Sequence, residues 1–263
     1  MLAAEIISKI IRGAVLSAKV KRPDIKPLSV FLVAPIESGK TTLALQNAGE
    51  KPLVVSDVSG IGLLEALYQE KTVTHVVIND LAAVSGHRSS VSKLTISILN
   101  ALAEEGCFKI ALPRMGHLDL SGRRVGVLAC CTPDLVDDNR TWWKRSGFTS
   151  RVLPIRYNHS VSLQIKIMQG IANGVHFEDG RILKIPDAEL FVQIPNRQAQ
   201  QILNLSLQLA KHYQEAGYRR QHQLRALACG LAINRGWKKP AVSQKEIDFL
   251  VEALPFFTQG QEI

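Results

Sequence analysis

Gly39, Lys40 and Thr41 follow a short apolar run, "VFLVA" from Val30 to Ala34, through a turn of Pro35, Ile36, Glu37 and Ser38; Thr42 and Leu43 continue in helix-forming residues. Strand, tight turn, G-K-T and helix, in that order, is the pattern of a phosphate-binding loop. Its chemistry uses the backbone from Pro35 to Thr42, whose consecutive N–H groups curl around a phosphate at the positive end of a helix. Lys40 supplies the side-chain cation, and Thr41 is the expected hydroxyl ligand of Mg²⁺. ATP with Mg²⁺ is therefore the expected ligand. The consensus has a first glycine where this chain has Ala34, and a methyl group fits there provided its φ stays negative.

A second set of residues completes such a site. "HVVIND" is an apolar strand ending in an acid, which suits Asp80 as a catalytic acid holding Mg²⁺ through water. Hydrolytic enzymes of this type often carry Glu at the next position to polarise the attacking water, and here Leu81 stands in that place. Asp57, at the end of "LVVSD", has two readings: it positions that water in place of the glutamate, or it caps the helix beginning near "VSGIGLLEAL".

The elements that must position these residues alternate. "LSVFLVA", "PLVVSD", "VTHVVIND", "VGVLACCT" and "RVLPIRY" read as strands, with helices near 40, at "GIGLLEALYQE" and at "SSVSKLTISILNALAEEG", where Leu94, Ile98 and Leu102 share one face. That alternation implies an α/β core with a parallel sheet and covering helices. "CFKIALPRMGHLDLSGRR" interrupts it with a hairpin. From about Asn158 the chain is mainly helical: Ile202, Leu205, Leu209 and Tyr213 share a face, as do Leu224, Leu227, Ala228 and Leu231, and Ser243 with Glu246 forms a capping box. The expected division is a core at 1–157 and a helical domain at 158–263. The first twenty residues read as an amphipathic helix packed on the body, since Glu5 and Lys9 cut the apolar block that a secretory signal needs. Cys107, Cys130, Cys131 and Cys229 have neither C-x-x-C nor zinc spacing and read as free thiols of a cytoplasmic protein. Charges interrupt every long apolar run, so no membrane is expected as a partner. The formal charge of +9 favours polyanions without naming one.

With "APIESGKT", "HVVIND", "VLACCTPD" and "SGFTSRVLPI" in that order, the chain resembles an AAA+ ATPase, a P-loop NTPase with an αβα core and a C-terminal helical lid. "GFTSRVLPI" is similar to the "LLSRFDL" segment of minichromosome-maintenance and mobile-element helicases. The resemblance implies that Arg151 reaches a nucleotide on a neighbouring subunit, with Arg145 the alternative and a plain surface charge the other reading of each. It implies a homo-oligomeric ring, a hexamer by analogy with the family, and a polar sensor at Thr132, where an ordinary turn residue is the competing reading. It also implies a nucleotide-sensing arginine in the lid, for which Arg220 competes with Arg219 and Arg225. The irregular segment between the third core helix and the sensor strand corresponds to a hairpin that in such motors enters a central channel. There Lys109, Arg114, Arg123 and Arg124 either grip DNA phosphates or form a solvated basic hairpin. Trp142 and Trp143 read as packing residues. Two functions follow: a DNA-dependent motor or loader with a phage, replication or mobile-element protein partner, or a slow ATP-gated switch that recruits partners, for which Leu81 argues.

Overall fold

The computed structural model describes residues 3–105, 109–112, 116–120, 123–173, 182–259 and 261–262. The first half runs α1 (Ala3–Ser17), β1 (Val30–Val33), α2 (Lys40–Asn47), β2 (Pro52–Val55), α3 (Gly60–Gln69), β3 (His75–Ile78), α4 (Leu81–Gly86) and α5 (Ser89–Glu105). A hairpin of β4 (Lys109–Leu112) and β5 (Gly116–Asp119) leads to β6 (Gly126–Cys131), α6 (Pro133–Arg145), α7 (Phe148–Arg151) and β7 (Leu153–Asn158). Then come α8 (Val161–Ala172), α9 (Asn196–Tyr213), α10 (Tyr218–Arg235), α11 (Gln244–Thr258) and β8 (Gln261–Glu262).

Five parallel strands lie in the order β2-β3-β6-β1-β7, and the two residues of β8 extend the sheet beyond β7. Parallel strands require crossovers, and crossovers are right-handed. From β1 the chain moves to the far edge at β2, then returns through β3 and β6 to β7. The reversal obliges α2 to lie on one face and the helices after β2, β3 and β6 on the other. The core follows that division. Val30, Leu32, Cys130, Ile155 and Tyr157 pack with α1, α2, α9, α10 and α11, while Phe31, Val33, Ile78, Val127 and Cys131 pack with α3, α4, α5, α6 and α7.

Strand assignments from sequence agree with this sheet, and the 107–124 segment contains the expected hairpin, its strands antiparallel from Lys109↔Asp119 to Leu112↔Gly116. The helices of the expected lid share one hydrophobic cluster with α1 and the sheet. Their apolar faces need a partner, and α10, buried around most of its circumference from Leu224 to Ile233, supplies the centre of that layer. On α5 Ile98 and Leu102 of the expected face are buried, together with Ser92, Thr95, Ile96 and Leu99, while Leu94 of that face is exposed. The helices α4, α6 and α7 were not read from the sequence at all. In the aromatic cluster Trp143 is fully buried, edge-on to Phe31 and Phe148 at 6.0 and 5.5 Å, as expected of a packing residue.

Where α1 crosses α10, Gly13 faces Gly230. A Cβ added at Gly230 would lie 1.8 Å from the Gly13 carbonyl oxygen, so two backbones, neither able to yield cheaply, meet there. Gly230→Ala is expected to lower stability by about 3 kcal/mol, within the range for overpacking of a core contact. Gly236→Ala, at an extended position with nothing within 4 Å, should stay within about 0.5 kcal/mol of the parent. Chemical denaturation of the two variants checks this; equal midpoints would contradict the close crossing.

Candidate nucleotide-binding site

The reversal of direction at β1 opens a crevice outside the carboxyl ends of the strands, the usual position for a ligand in an open α/β sheet. Pairing of Val33 with Cys131 and of Ile78 with Ala129 brings the turn after β1, Thr132 after β6 and Asp80 after β3 to that one edge. Ala34 extends the β1–β6 ladder, its N–H donating to the Cys131 carbonyl at 3.2 Å, and keeps a negative φ as expected. The chain then turns through two left-handed residues, Glu37 (φ 62°) and Gly39 (φ 72°), before α2 starts at Lys40. Left-handed φ is cheap at Gly39 and costs free energy at Glu37, so the turn holds a conformation chosen for something other than local stability.

Its backbone explains the choice. Among the described residues, no N–H from Ile36 to Lys40 donates a hydrogen bond, whereas Leu43 closes the first helical turn onto the Gly39 carbonyl at 2.9 Å. The unpaired donors converge at the positive end of α2, the arrangement that recognises an oxyanion. Lys40 Nζ donates to the carbonyls of Ala34 and Pro35 at 2.8 and 2.6 Å, and burial lowers its pKa from the usual lysine value. Behind the turn, the Tyr157 hydroxyl donates to the Ser38 carbonyl at 3.3 Å, and burial raises the Tyr157 pKa. Cys130 lies beneath Lys40 and Thr41, where burial pushes its thiol up to about 12, so it stays neutral. Neither Tyr157 nor Cys130 was read from the sequence as part of the site. Strand alternation alone puts both on the face beneath the loop.

Thr41 Oγ1 approaches the Asn79 carbonyl at 3.5 Å. Asp80 is exposed and caps α4 through Oδ1, which accepts the Ala82 N–H at 2.9 Å, leaving Oδ2 free. One hydroxyl and one free carboxylate oxygen suit Mg²⁺, which keeps several waters and takes its remaining ligands from phosphate, so the residues present fit the ion. No group of three or more His, Cys, Asp or Glu gathers as a metal site among the described residues. Thr132 caps α6, accepting the Leu135 N–H at 3.3 Å, and its hydroxyl keeps a proton to donate.

Other expected residues lie elsewhere. Leu81 is fully buried beside Asp80, so that position carries no group toward water. Asp57 is not the cap of α3, which Ser59 provides by accepting the Gly62 N–H at 3.2 Å. It is instead paired with His87 at 2.7 Å, beyond an edge strand three strand spacings, roughly 14 Å, from β1. Arg151 stands just before β7, whose Leu153 pairs with Val30, and so lies at the edge opposite its own loop. It binds Glu104 and, at 3.1 Å, the Ser146 carbonyl; Arg219 shares Glu104 at 3.0 Å. Burial raises the Glu104 pKa, but hydrogen bonds from Arg219 and Arg151 outweigh it and hold the carboxyl below its usual range. The three lid candidates sit at that same edge. Arg220 is buried and bound to Glu215, Gln223 and the Val152 carbonyl, Arg219 to Glu104, and Arg225 to Asp24 at 2.6 Å. Among the described residues, none of the three hydrogen-bonds the phosphate loop of its own chain. Arg145 is exposed on the last turn of α6.

Of the hairpin residues, Arg114 lies outside the described residues and Lys109 is placed in β4. Arg123 and Arg124 do not project from the hairpin. Arg123 donates to the Leu67 and Glu70 carbonyls, and Arg124 to those of Ala18 and Ile25 at 3.1 and 2.6 Å. No protein-family model matches the chain, and no curated protein matches it either.

Lys40 is the loop's only side-chain cation, so Lys40→Ala should weaken Mg-ATP binding by about a hundredfold, the cost of removing a charge-assisted hydrogen bond to phosphate. Calorimetric titration of both proteins tests this; equal affinities would remove the loop from the site.

Proposed function

We propose that this protein is an AAA+-type ATPase that binds and hydrolyses Mg-ATP in an oligomeric ring and acts on DNA as a motor or loader. The reading is carried by the run of unpaired backbone N–H groups from Ile36 to Lys40 at the start of α2, facing the edge where Asp80 and Thr132 emerge. Lys40 exchanges loop carbonyls for phosphate oxygens, and the amides hold the phosphate chain without reorganising. Thr41 and Asp80 hold Mg²⁺, which when bound neutralises charge developing on the phosphates. Thr132 donates to a terminal phosphate oxygen or orients water beside it. Because Arg151 lies a strand length from its own loop, it serves a neighbouring subunit's nucleotide, and Glu104 holds the guanidinium in place at that outer edge.

A second reading, a slow ATP-gated switch that recruits partners, is favoured by one observation. The position after Asp80 is a buried leucine, and Asp57, the substitute acid read from the sequence, is hydrogen-bonded to His87. On this geometry Asp57→Asn leaves turnover within about threefold of the parent, since a group three strands away does not position the water. If Asp57 does act there, the same substitution costs about a hundredfold with ATP affinity near normal. Steady-state turnover separates the two outcomes.

Action in trans has its own test. Arg151→Ala should retain nucleotide binding while turnover falls about a thousandfold. Mixed with Lys40→Ala subunits, it should recover activity above either variant alone, because some composite sites then hold both residues. Mixed rings that form and remain inactive, or full activity from a monomeric parent, would exclude the arrangement.

A further inference from the structure

At the amino edge of the sheet a pocket of about 340 Å³ opens between the loop before β1, the end of α5 and one face of α10, and Arg151 lines it. Pro27, Leu28, Ala103 and Ala226 give it apolar walls. Most charges around it are taken up by one another: Glu104 holds Arg151 and Arg219, and Asp24 holds Arg22 and Arg225. Lys26 differs. It lines the pocket, is exposed, and makes no hydrogen bond or ion pair among the described residues. At the opposite edge, on the turn that follows β1, Ile36 is 78% exposed, an aliphatic side chain that its own chain leaves largely uncovered. Glu37 beside it is exposed as well, and it too makes no hydrogen bond or ion pair among the described residues.

We infer that the occupant of this pocket is a second copy of the chain, whose Ile36 seats between the apolar walls while its Glu37 faces Lys26 at the rim. The inference rests on the reading that Arg151 serves a neighbour's nucleotide. An Arg151 that reaches phosphate held by the amides from Ile36 to Lys40 brings the pocket it lines against the turn that carries Ile36. Apolar surface then meets apolar surface, and an acid without a partner meets a cation without one. The aliphatic anchor supplies affinity by leaving water, and the rim charges fix the register. Because the anchor and the pocket lie at opposite edges of one sheet, the contact is head-to-tail, and it propagates from subunit to subunit instead of closing within a pair. Seating Ile36 also sets where Arg151 stands relative to the phosphates, to which a transferring site is sensitive at the ångström scale.

The test is sedimentation velocity of the full chain, of Ile36→Ser, of Ala103→Phe, which fills the pocket, and of an equimolar mixture of the two variants, each at Mg-ATP concentrations that saturate it. The parent should assemble, and each variant should associate at least about tenfold more weakly, the loss expected when one aliphatic anchor is no longer buried. The mixture should form a one-to-one heterodimer and nothing larger, because Ile36→Ser keeps the pocket and Ala103→Phe keeps the anchor, so only one sound contact exists between them. Glu37→Lys and Lys26→Glu should each weaken assembly and restore it when combined in one chain. Both of those positions are exposed, so this arm decides the matter if Ala103→Phe fails to fold. Parental assembly by Ile36→Ser and Ala103→Phe overturns the inference while leaving the ring standing. So does a mixture that stays monomeric although both variants keep the parental denaturation midpoint, or a charge exchange that restores nothing. A parent chain that binds Mg-ATP yet remains a monomer removes the ring reading and this inference together.

Discussion

Right-handed crossover connections decide nearly everything in this molecule. Once β1 lies inside the sheet with β2 at the far edge, α2 must leave on one face and the later crossover helices on the other. The carboxyl end of β1 then becomes the point where the chain changes direction, and the register of β1, β6 and β3 gathers a glycine turn, a threonine and an aspartate there. The unpaired amides of that turn face outward because the β1 ladder ends at Ala34 and α2 does not begin until Lys40. Ile36, Glu37 and Gly39 are exposed, and a phosphate group is the chemistry that answers several adjacent donors at once.

The same topology assigns the other edge to a different task. Arg151, Arg219, Arg220 and Arg225 all lie toward the amino ends of the strands, held by Glu104, Glu215, Asp24 and main-chain carbonyls. A guanidinium offers five donors in a rigid fork, which suits it to locking helices onto strand ends. The tight approach of Gly13 and Gly230 joins α1 to α10 beneath this edge, so the helical half of the chain is part of one core with the sheet. Charge that a sequence presents as a binding surface thereby goes largely into clamps that hold helices to strand ends.

Much of this was legible in the sequence, for identifiable reasons. Buried parallel strands appear as short continuous apolar runs, and the G-K-T turn has a fixed place after one of them, so β1, β3, β6 and the loop could be placed from residues alone. The helices α4 and α6 were missed because they are short or rich in charge, with apolar positions too few to show a period: α6 buries Val136 and Trp143 and exposes most of the rest. The roles of Asp57, Arg220, Arg123 and Arg124 depend on partners distant in sequence, namely His87, Val152, Leu67 and Ala18. No spacing rule reports such contacts.

The claim on which the account stands is that the turn after β1 uses its backbone to hold phosphate. Amide hydrogen exchange followed across Ile36 to Lys40, with and without saturating Mg-ATP, examines those N–H groups themselves. Nucleotide should protect these amides strongly, with little change in the Gly13–Gly230 crossing, and Lys40→Ala should lose most of the protection. Exchange at the turn that is the same with and without Mg-ATP would contradict the account.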